Sequence, residues 1–224
     1  MGQTAQIKPE PQTETSQVAT SVLDCFKNSN HVTSPFNHWL LENVLPKGLC
    51  EAITSLPFPP PQDSLFNGKR ETNNSTRVYF TPDNQKKFNT CLNVVEGFKD
   101  ARVKKAIEEM TGTDLSRTRL RIEYCQDTSG FWLEPHTDIF VKKFTMLVYL
   151  SDDPNLSKAG TDIHEGPPDF NYVGSAPFGQ NLGVIFIPGK NSWHGVGHHP
   201  FEGIRKSIII NFVTSNWRDQ WELA

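Results

Sequence analysis

Long apolar runs are missing from this sequence. No stretch approaches the roughly 20 apolar residues that a membrane-spanning helix requires. The chain has 224 residues, of which 36% are hydrophobic and 21% charged, as is typical of a globular protein that buries a core. No secretory leader is recognisable, and Gln6 stands where an N-myristoylation motif that starts at Met1-Gly2 requires Ser or Thr. We therefore expect a soluble, cytoplasmic protein without a membrane partner.

Clustered positive charge is also lacking. The formal net charge is -3, and the basic groupings are pairs such as Lys86-Lys87 and Lys142-Lys143. A protein that binds nucleic acid neutralises phosphates with a concentrated basic surface. The sequence thus disfavours a nucleic-acid partner.

Two catalytic or structural motifs are absent as well. The cysteines Cys25, Cys50, Cys91 and Cys125 form no C-x-x-C pair, and without a leader to an oxidising compartment we interpret them as free thiols. No G-x-S-x-G motif stands between a strand and a helix, which disfavours a Ser-His-Asp hydrolase.

The composition changes along the chain. Residues 1–33 are polar and poor in aromatic residues, which predicts a flexible tail. Residues 34–224 are interpreted as one domain, with a helical N-terminal part that includes predicted helices over 48–56 and 94–110. From about residue 118 to 214 the pattern changes to short β-rich segments separated by turns.

These segments predict the fold class. Strands are expected over 77–80, 120–124, 131–138, 144–150, 182–187 and 207–213. Many short strands with turns between them indicate an antiparallel sandwich or barrel, here mainly β with flanking helices.

Three residues form a candidate metal site. His136 and Asp138 lie two apart at the end of a predicted strand, so their side chains are expected on one face. His194, directly after a later strand and turn, is the third candidate ligand. Two imidazoles and one carboxylate leave open positions that suit iron(II). An H-x-D pair on its own also arises by chance on surface strands.

A second group of residues suits a carboxylate. Arg205 and Ser207 lie two residues apart at the start of the last long apolar strand, so their side chains are expected on the same face. A guanidinium and a hydroxyl on the same face can both bind one carboxylate group.

Together these motifs resemble the 2-oxoglutarate/iron(II)-dependent dioxygenase family, particularly its prolyl-hydroxylase-like branch. They occur in the family's order: His136-Thr137-Asp138, residues 145–151, Gly160-Thr161, residues 185–188, His194 and Arg205-Lys206-Ser207. The resemblance implies a double-stranded β-helix, a jelly-roll or cupin-like barrel. It also implies Fe(II) held by His136, Asp138 and His194, with 2-oxoglutarate and O2 as cosubstrates.

The resemblance further implies roles for individual side chains. Arg205 would pair with the far carboxylate of 2-oxoglutarate, Ser207 would add a hydrogen bond, and Tyr149 or Tyr124 would donate a hydroxyl. Packing in the core is the alternative for both tyrosines. No catalytic residue beyond the metal ligands is implied.

Two residues are candidate substrate contacts. Trp132 precedes the H-x-D pair and could line a pocket, although aromatic residues beside a site often only pack. His164 lies on a predicted loop near the barrel mouth, where a solvated histidine is the alternative.

The reaction implied is hydroxylation of an unactivated C–H bond in a small molecule, such as an amino-acid derivative or a natural-product intermediate. Asp138 favours hydroxylation over halogenation, because related halogenases replace this carboxylate with a small residue. Desaturation, cyclisation and peptidyl hydroxylation remain open. Two other classes remain: a zinc hydrolase with the same ligands and a metal-binding cupin-like module without turnover.

Overall fold

The computed structural model describes residues 14–62, 66–69, 77–198 and 201–224. The helices within these ranges are α1 (Glu14–Lys27), α2 (Leu49–Thr54), α3 (Pro82–Lys87), α4 (Asn89–Lys99) and α5 (Ala101–Thr111). Single 3-10 turns lie at Pro154–Leu156 and Gln220–Glu222. None of these helices is both long and apolar enough to cross a membrane.

The strands form two antiparallel sheets. They are β1 (Asn30–Val32), β2 (His38–Leu41), β3 (Val78–Tyr79), β4 (Thr118–Asp127), β5 (Leu133–His136), β6 (Lys142–Tyr149), β7 (Asp162–His164), β8 (Tyr172–Ser175), β9 (Gly183–Phe186), β10 (His194–Val196) and β11 (Arg205–Thr214). The larger sheet has the order β1-β2-β9-β6-β11-β4-β3, and the smaller sheet has the order β5-β10-β7-β8. The prediction of a mainly β protein with flanking helices is confirmed.

The larger sheet is buried on both faces. Along β11, Ile208 and Ile210 pack with the helices, whereas Ile209 belongs to a separate cluster that includes Ile163 of the smaller sheet. Residues on a strand alternate between faces, so Arg205 and Ser207 lie on the same side as Ile209. Because both faces are buried, the sequence of this strand is a nearly continuous run of apolar residues.

The prediction of a flexible tail over 1–33 is wrong for residues 14–33. Here α1 buries Val18, Ala19, Val22, Cys25 and Phe26 in the helical core, and β1 pairs with β2. The apolar residues recur at helical spacing and form a stripe, which a mostly polar average composition conceals. Residues 1–13 lie outside the described residues.

The long helix predicted over 94–110 is two helices, α4 and α5. The chain is extended at Asp100, whose carboxylate accepts a hydrogen bond from the Arg102 backbone N–H at 2.8 Å. Asp is a strong N-cap because it satisfies a backbone donor that the first helical turn leaves unpaired. The predicted helix over 48–56 is confirmed in the shorter form of α2. The four cysteines are free, as predicted, and the structure shows that all four are buried.

The contact between α1 and α4 generates a stability prediction. A Cβ atom added at Gly97 would lie 2.4 Å from Cγ1 and 2.7 Å from Cβ of Val18. Val18 is β-branched and has little rotamer freedom to move away. We expect Gly97→Ala to lower the free energy of unfolding by about 1–3 kcal/mol, measured by urea denaturation.

The matched control is Gly174→Ala. No described atom lies within 4 Å of the Cβ position at Gly174, so its unfolding midpoint should stay close to that of the unsubstituted protein. Equal midpoints for the two variants would contradict the close packing of α1 on α4.

Candidate metal centre

Strand pairing brings the two histidines together. His136 at the end of β5 and His194 at the start of β10 are directly opposite partners in the antiparallel ladder. Their ring centroids lie 4.4 Å apart. Gly195 permits this approach, because a Cβ at that position would lie 2.6 Å from the backbone oxygen of Leu133. Residues far apart in the sequence thus share one face of the smaller sheet.

Backbone carbonyls fix the orientation of both rings. Nδ1 of His136 lies 2.9 Å from the Glu134 carbonyl oxygen, and Nδ1 of His194 lies 2.8 Å from that of Ser192. A carbonyl oxygen only accepts, so Nδ1 carries the proton and Nε2 keeps its lone pair for a metal. Burial, followed by the nearby His136, lowers the pKa of His194 to about 3. The neutral imidazole is the form that binds metals.

Asp138 lies in the loop that follows β5, and not on the strand as predicted, because β5 ends at His136. Its carboxylate is held by the next strand instead. Nζ of Lys142 donates to Oδ1 at 2.6 Å, and Oγ1 of Thr145 donates to Oδ2 at 2.7 Å. Both ends of the Asp138–Lys142 ion pair are buried. The orientation of Asp138 therefore depends on β6.

The three side chains can act as one metal site. One ligand atom from each of His136, Asp138 and His194 lies within 4.8 Å of the other two. Two imidazoles and one carboxylate are the donor set of non-haem iron(II) sites that keep positions open for other ligands. The predicted triad is thus brought together by the fold.

A buried polar network supports the carboxylate. Oγ1 of Thr145 accepts from Nδ2 of Asn211 at 2.9 Å, and Oδ1 of Asn211 accepts from Nη1 of Arg121 at 3.2 Å. Nε of Arg121 donates to Glu222 at 2.6 Å. Sequence reasoning missed this network, because its members come from three strands and a 3-10 turn.

A small inner cavity of about 40 Å³ adjoins the triad. Besides the triad, its lining includes Arg77, Asp127, Phe131, Thr161 and Arg205. Arg205 donates from Nε to the Ala159 carbonyl oxygen at 2.7 Å and from Nη1 to Oδ2 of Asp127 at 2.8 Å. Arg77 donates from Nη1 to Oδ1 of Asp127 at 2.5 Å. Sequence reasoning identified Arg205 but not Arg77 or Asp127.

The donors around this cavity fit an anionic ligand. Nη2 of Arg205, Nε of Arg77 and Oγ of Ser207 are buried without a hydrogen-bond partner among the described residues. Buried donors are normally satisfied, since an unmade hydrogen bond leaves the cost of desolvation uncompensated. Ser207 lies on the same strand face as Arg205, but it is not part of the cavity lining.

The two tyrosines lie in different places. Tyr149 is paired with Ser207 across β6 and β11, and its ring lies 5.5 Å from the Arg205 guanidinium carbon. Its hydroxyl donates to Oγ1 of Thr161 at 2.8 Å and accepts from the Thr161 backbone N–H at 2.9 Å. Tyr124 packs in the helical core on the opposite face of the sheet, tilted against Phe58. The interpretation of Tyr124 as a cosubstrate donor is therefore wrong.

The fold does not bring the two candidate substrate residues to the inner cavity. Trp132 is half-buried beside Gly68 and His198. His164 ends β7, where Nδ1 lies 2.9 Å from the Phe170 carbonyl oxygen and the ring meets Tyr172 edge-on. Neither residue lines either cavity that contains His136 and Asp138.

An outer cavity of about 670 Å³ adjoins the other side of the triad. It shares His136, Asp138 and Lys142 with the inner cavity. The segment after β11 forms part of its wall through Trp217, Arg218, Asp219 and Glu222. His136 and Asp138 thus stand between a narrow cationic cavity and a wider open one. Sequence reasoning did not predict that the segment after β11 lines this outer cavity.

No protein-family model matches the sequence, and no curated protein matches it either. Solved structures are similar in fold. A prolyl-4-hydroxylase from Pseudomonas putida matches with a TM-score of 0.57 and 15% identity, over 89% of this chain and 100% of that chain. The non-haem α-ketoglutarate-dependent epimerase SnoN, from nogalamycin biosynthesis, matches with a TM-score of 0.52 and 15% identity, over 88% and 83% of the respective chains.

A third similar structure is a prolyl hydroxylase from Trichoplax adhaerens in complex with a peptide fragment of the hypoxia-inducible factor. It matches with a TM-score of 0.51 and 15% identity, over 89% of this chain and 90% of that chain. These likenesses confirm the predicted fold, a double-stranded β-helix similar to that of prolyl hydroxylases. At such identities they establish the fold, and function has to be argued from the site.

The hydrogen bond from Thr145 generates a prediction about metal binding. Thr145→Val keeps the side-chain shape but removes the donor to Oδ2 of Asp138. We expect the affinity for a divalent metal such as Co(II) to fall about 10- to 100-fold, as for other partners of metal ligands. Competition with a chromogenic chelator measures this affinity.

Thr214→Val is the matched control. Oγ1 of Thr214 is buried with no partner in the described part of the chain, so its loss should leave the metal affinity unchanged. Equal affinities for the two variants would mean that Thr145 does not position Asp138.

Proposed function

We propose that this protein is a non-haem iron(II) oxygenase that uses 2-oxoglutarate and O2. One observation carries the proposal: the His136, Asp138 and His194 triad adjoins a buried cavity in which guanidinium donors have no partner among the described residues. A hydrolytic zinc centre with the same ligands requires no such carboxylate site. A binding module that has lost turnover does not require the open metal positions.

His136, Asp138 and His194 would hold the iron, and Arg205 would bind the far carboxylate of 2-oxoglutarate. When bound, iron and 2-oxoglutarate supply the oxidation of an unactivated C–H bond with O2, and the protein supplies binding and orientation. Arg205 is 3% exposed, so its charge acts at reduced dielectric and interacts strongly with an anion. Phe186, whose ring lies 4.3 Å from that of His194, shields this imidazole from water.

The substrate would enter through the outer cavity. Its volume of about 670 Å³ lies within the roughly 300–1,000 Å³ typical of small-molecule sites. Its wall combines apolar surface from Ile139, Val141 and Trp217 with charged side chains. We therefore propose hydroxylation of a small molecule. The fold is also similar to that of a prolyl hydroxylase solved in complex with a peptide fragment, so a substrate screen should include proline-containing peptides.

The first test is formation of the iron complex. Anaerobic protein with Fe(II) should develop a weak visible charge-transfer band when 2-oxoglutarate is added. His194→Ala should abolish the band because one ligand is lost. His31→Ala, which changes a histidine stacked on Trp39 outside either cavity, should keep it. If the unsubstituted protein binds iron but shows no band with 2-oxoglutarate, the cosubstrate assignment fails.

The second test concerns Arg205. Arg205→Gln removes the guanidinium charge that is proposed to bind the far carboxylate. We expect the dissociation constant for 2-oxoglutarate in the anaerobic iron complex to rise by at least about tenfold, as for loss of a hydrogen bond to a charged group. Succinate release with a substrate pool should fall in parallel at low 2-oxoglutarate. Unchanged affinity would exclude Arg205 as the carboxylate partner.

A further inference from the structure

We propose that Arg77 is a second cation of the cosubstrate site and binds the far carboxylate of 2-oxoglutarate jointly with Arg205. Asp127 accepts one hydrogen bond from each guanidinium group and so holds both beside one carboxylate. The inference rests on the proposed function and extends it to a residue outside the β-rich segment that resembles the oxygenase family.

The position of Arg77 follows from strand pairing. It directly precedes β3, which pairs with β4 through Tyr79 opposite Glu123. Alternation puts Arg77 on the same face as Tyr79, and this is the face where the Tyr79 ring meets Arg121. An edge strand thus delivers a guanidinium to the inner cavity. The side chains of Arg77 and Asp127 are 3% and 2% exposed.

The hydrogen bonds of Arg205 show what a second cation would add. Nε of Arg205 is used by the Ala159 carbonyl, and Nη1 is bonded to Asp127. Only Nη2 has no partner among the residues that the structure describes. A bidentate fork on a carboxylate uses two nitrogens of one guanidinium. At Arg205 the second nitrogen would be Nη1 or Nε, and each of these already donates a hydrogen bond to the protein.

Arg77 adds a second nitrogen that has no other task in the described part of the protein. Its Nη1 is bonded to the other oxygen of Asp127, and its buried Nε has no partner within the described ranges. One nitrogen from each arginine can then donate to the same ligand carboxylate, in place of two nitrogens from a single arginine. The two guanidinium carbons lie 5.8 Å and 6.0 Å from the centre of the same Phe131 ring, so both groups flank one wall of the cavity.

The charges lead to the same conclusion. Two guanidinium groups and the Asp127 carboxylate leave one net positive charge, which one carboxylate of a ligand would neutralise. Burial by itself lowers the pKa of Arg77, but Asp127 and other nearby groups raise it above its ordinary value overall. Arg77 therefore stays charged. A purely structural counterion of Asp127 would not require an unpaired Nε in a cavity wall.

The experiment compares two ligands that differ only at the far end. 2-Oxoglutarate and 2-oxopentanoate share the metal-binding 2-oxo acid, but 2-oxopentanoate has a methyl group in place of the far carboxylate. Both are titrated anaerobically into the iron(II) protein, with the visible band as the readout. In Arg77→Gln we expect the dissociation constant for 2-oxoglutarate to rise about 10- to 100-fold. The constant for 2-oxopentanoate should not change.

Arg102→Gln is the matched control for the loss of one positive charge. Arg102 is an exposed arginine paired with Asp100 at the start of α5, and its variant should bind both ligands normally. Arg77→Lys covers the case in which the glutamine variant does not fold. The lysine keeps the charge beside Asp127 but lacks the Nε donor, so a selective loss of 2-oxoglutarate affinity of several-fold is expected.

The outcomes separate the two proposals. If folded Arg77→Gln or Arg77→Lys binds 2-oxoglutarate as tightly as Arg102→Gln, the role of Arg77 is refuted and the oxygenase proposal stands. Equal weakening of both ligands would also refute it, because that pattern indicates a general structural effect. If the unsubstituted protein gives no band with 2-oxoglutarate, the proposed function itself fails.

Discussion

The inner face of the larger sheet must accommodate several charges away from water, and the architecture of the site depends on how they are paired. Removing an ion from water costs several kcal/mol unless a partner of opposite charge and further hydrogen bonds compensate for it. Asp138 is paired with Lys142, Arg121 with Glu123 and Glu222, and Asp127 with both Arg77 and Arg205. These pairs hold side chains from different strands in fixed relative positions.

Around the metal ligand Asp138, the buried polar groups nearly all have hydrogen-bond partners. Around the proposed anion site, some buried donors have none among the residues that the structure describes. Both carboxylate oxygens of Asp138 accept hydrogen bonds, and the network continues through Thr145 and Asn211 to Arg121. Arg205 and Arg77 instead each keep a donor without a partner in the described chain. A protein interior tolerates such donors poorly unless a ligand satisfies them. The contrast distinguishes a supporting region from a binding region on the same sheet.

The similarity to solved structures supports the fold, whereas the proposed reaction is supported by the geometry of the site. The fold is that of prolyl hydroxylases and of an α-ketoglutarate-dependent epimerase, at 15% identity. Enzymes with different substrates thus share this double-stranded β-helix. The reaction proposed here depends on the triad, on the two arginines and on the outer cavity, whose wall includes the segment around Trp217.

The sequence by itself determined the β-rich core, the three metal-ligand candidates and Arg205, because these depend on local alternation and on motif spacing. The same reasoning failed for α1, since a stripe of apolar residues is hidden in a polar average, and for Tyr124, because alternation does not tell which sheet face meets the helices. The tertiary structure alone decided that Lys142 and Thr145 orient Asp138 and that Asp127 joins Arg77 to Arg205. The Asp127 contacts join residues from three different strand regions, and no local pattern specifies which strands become neighbours in a sheet.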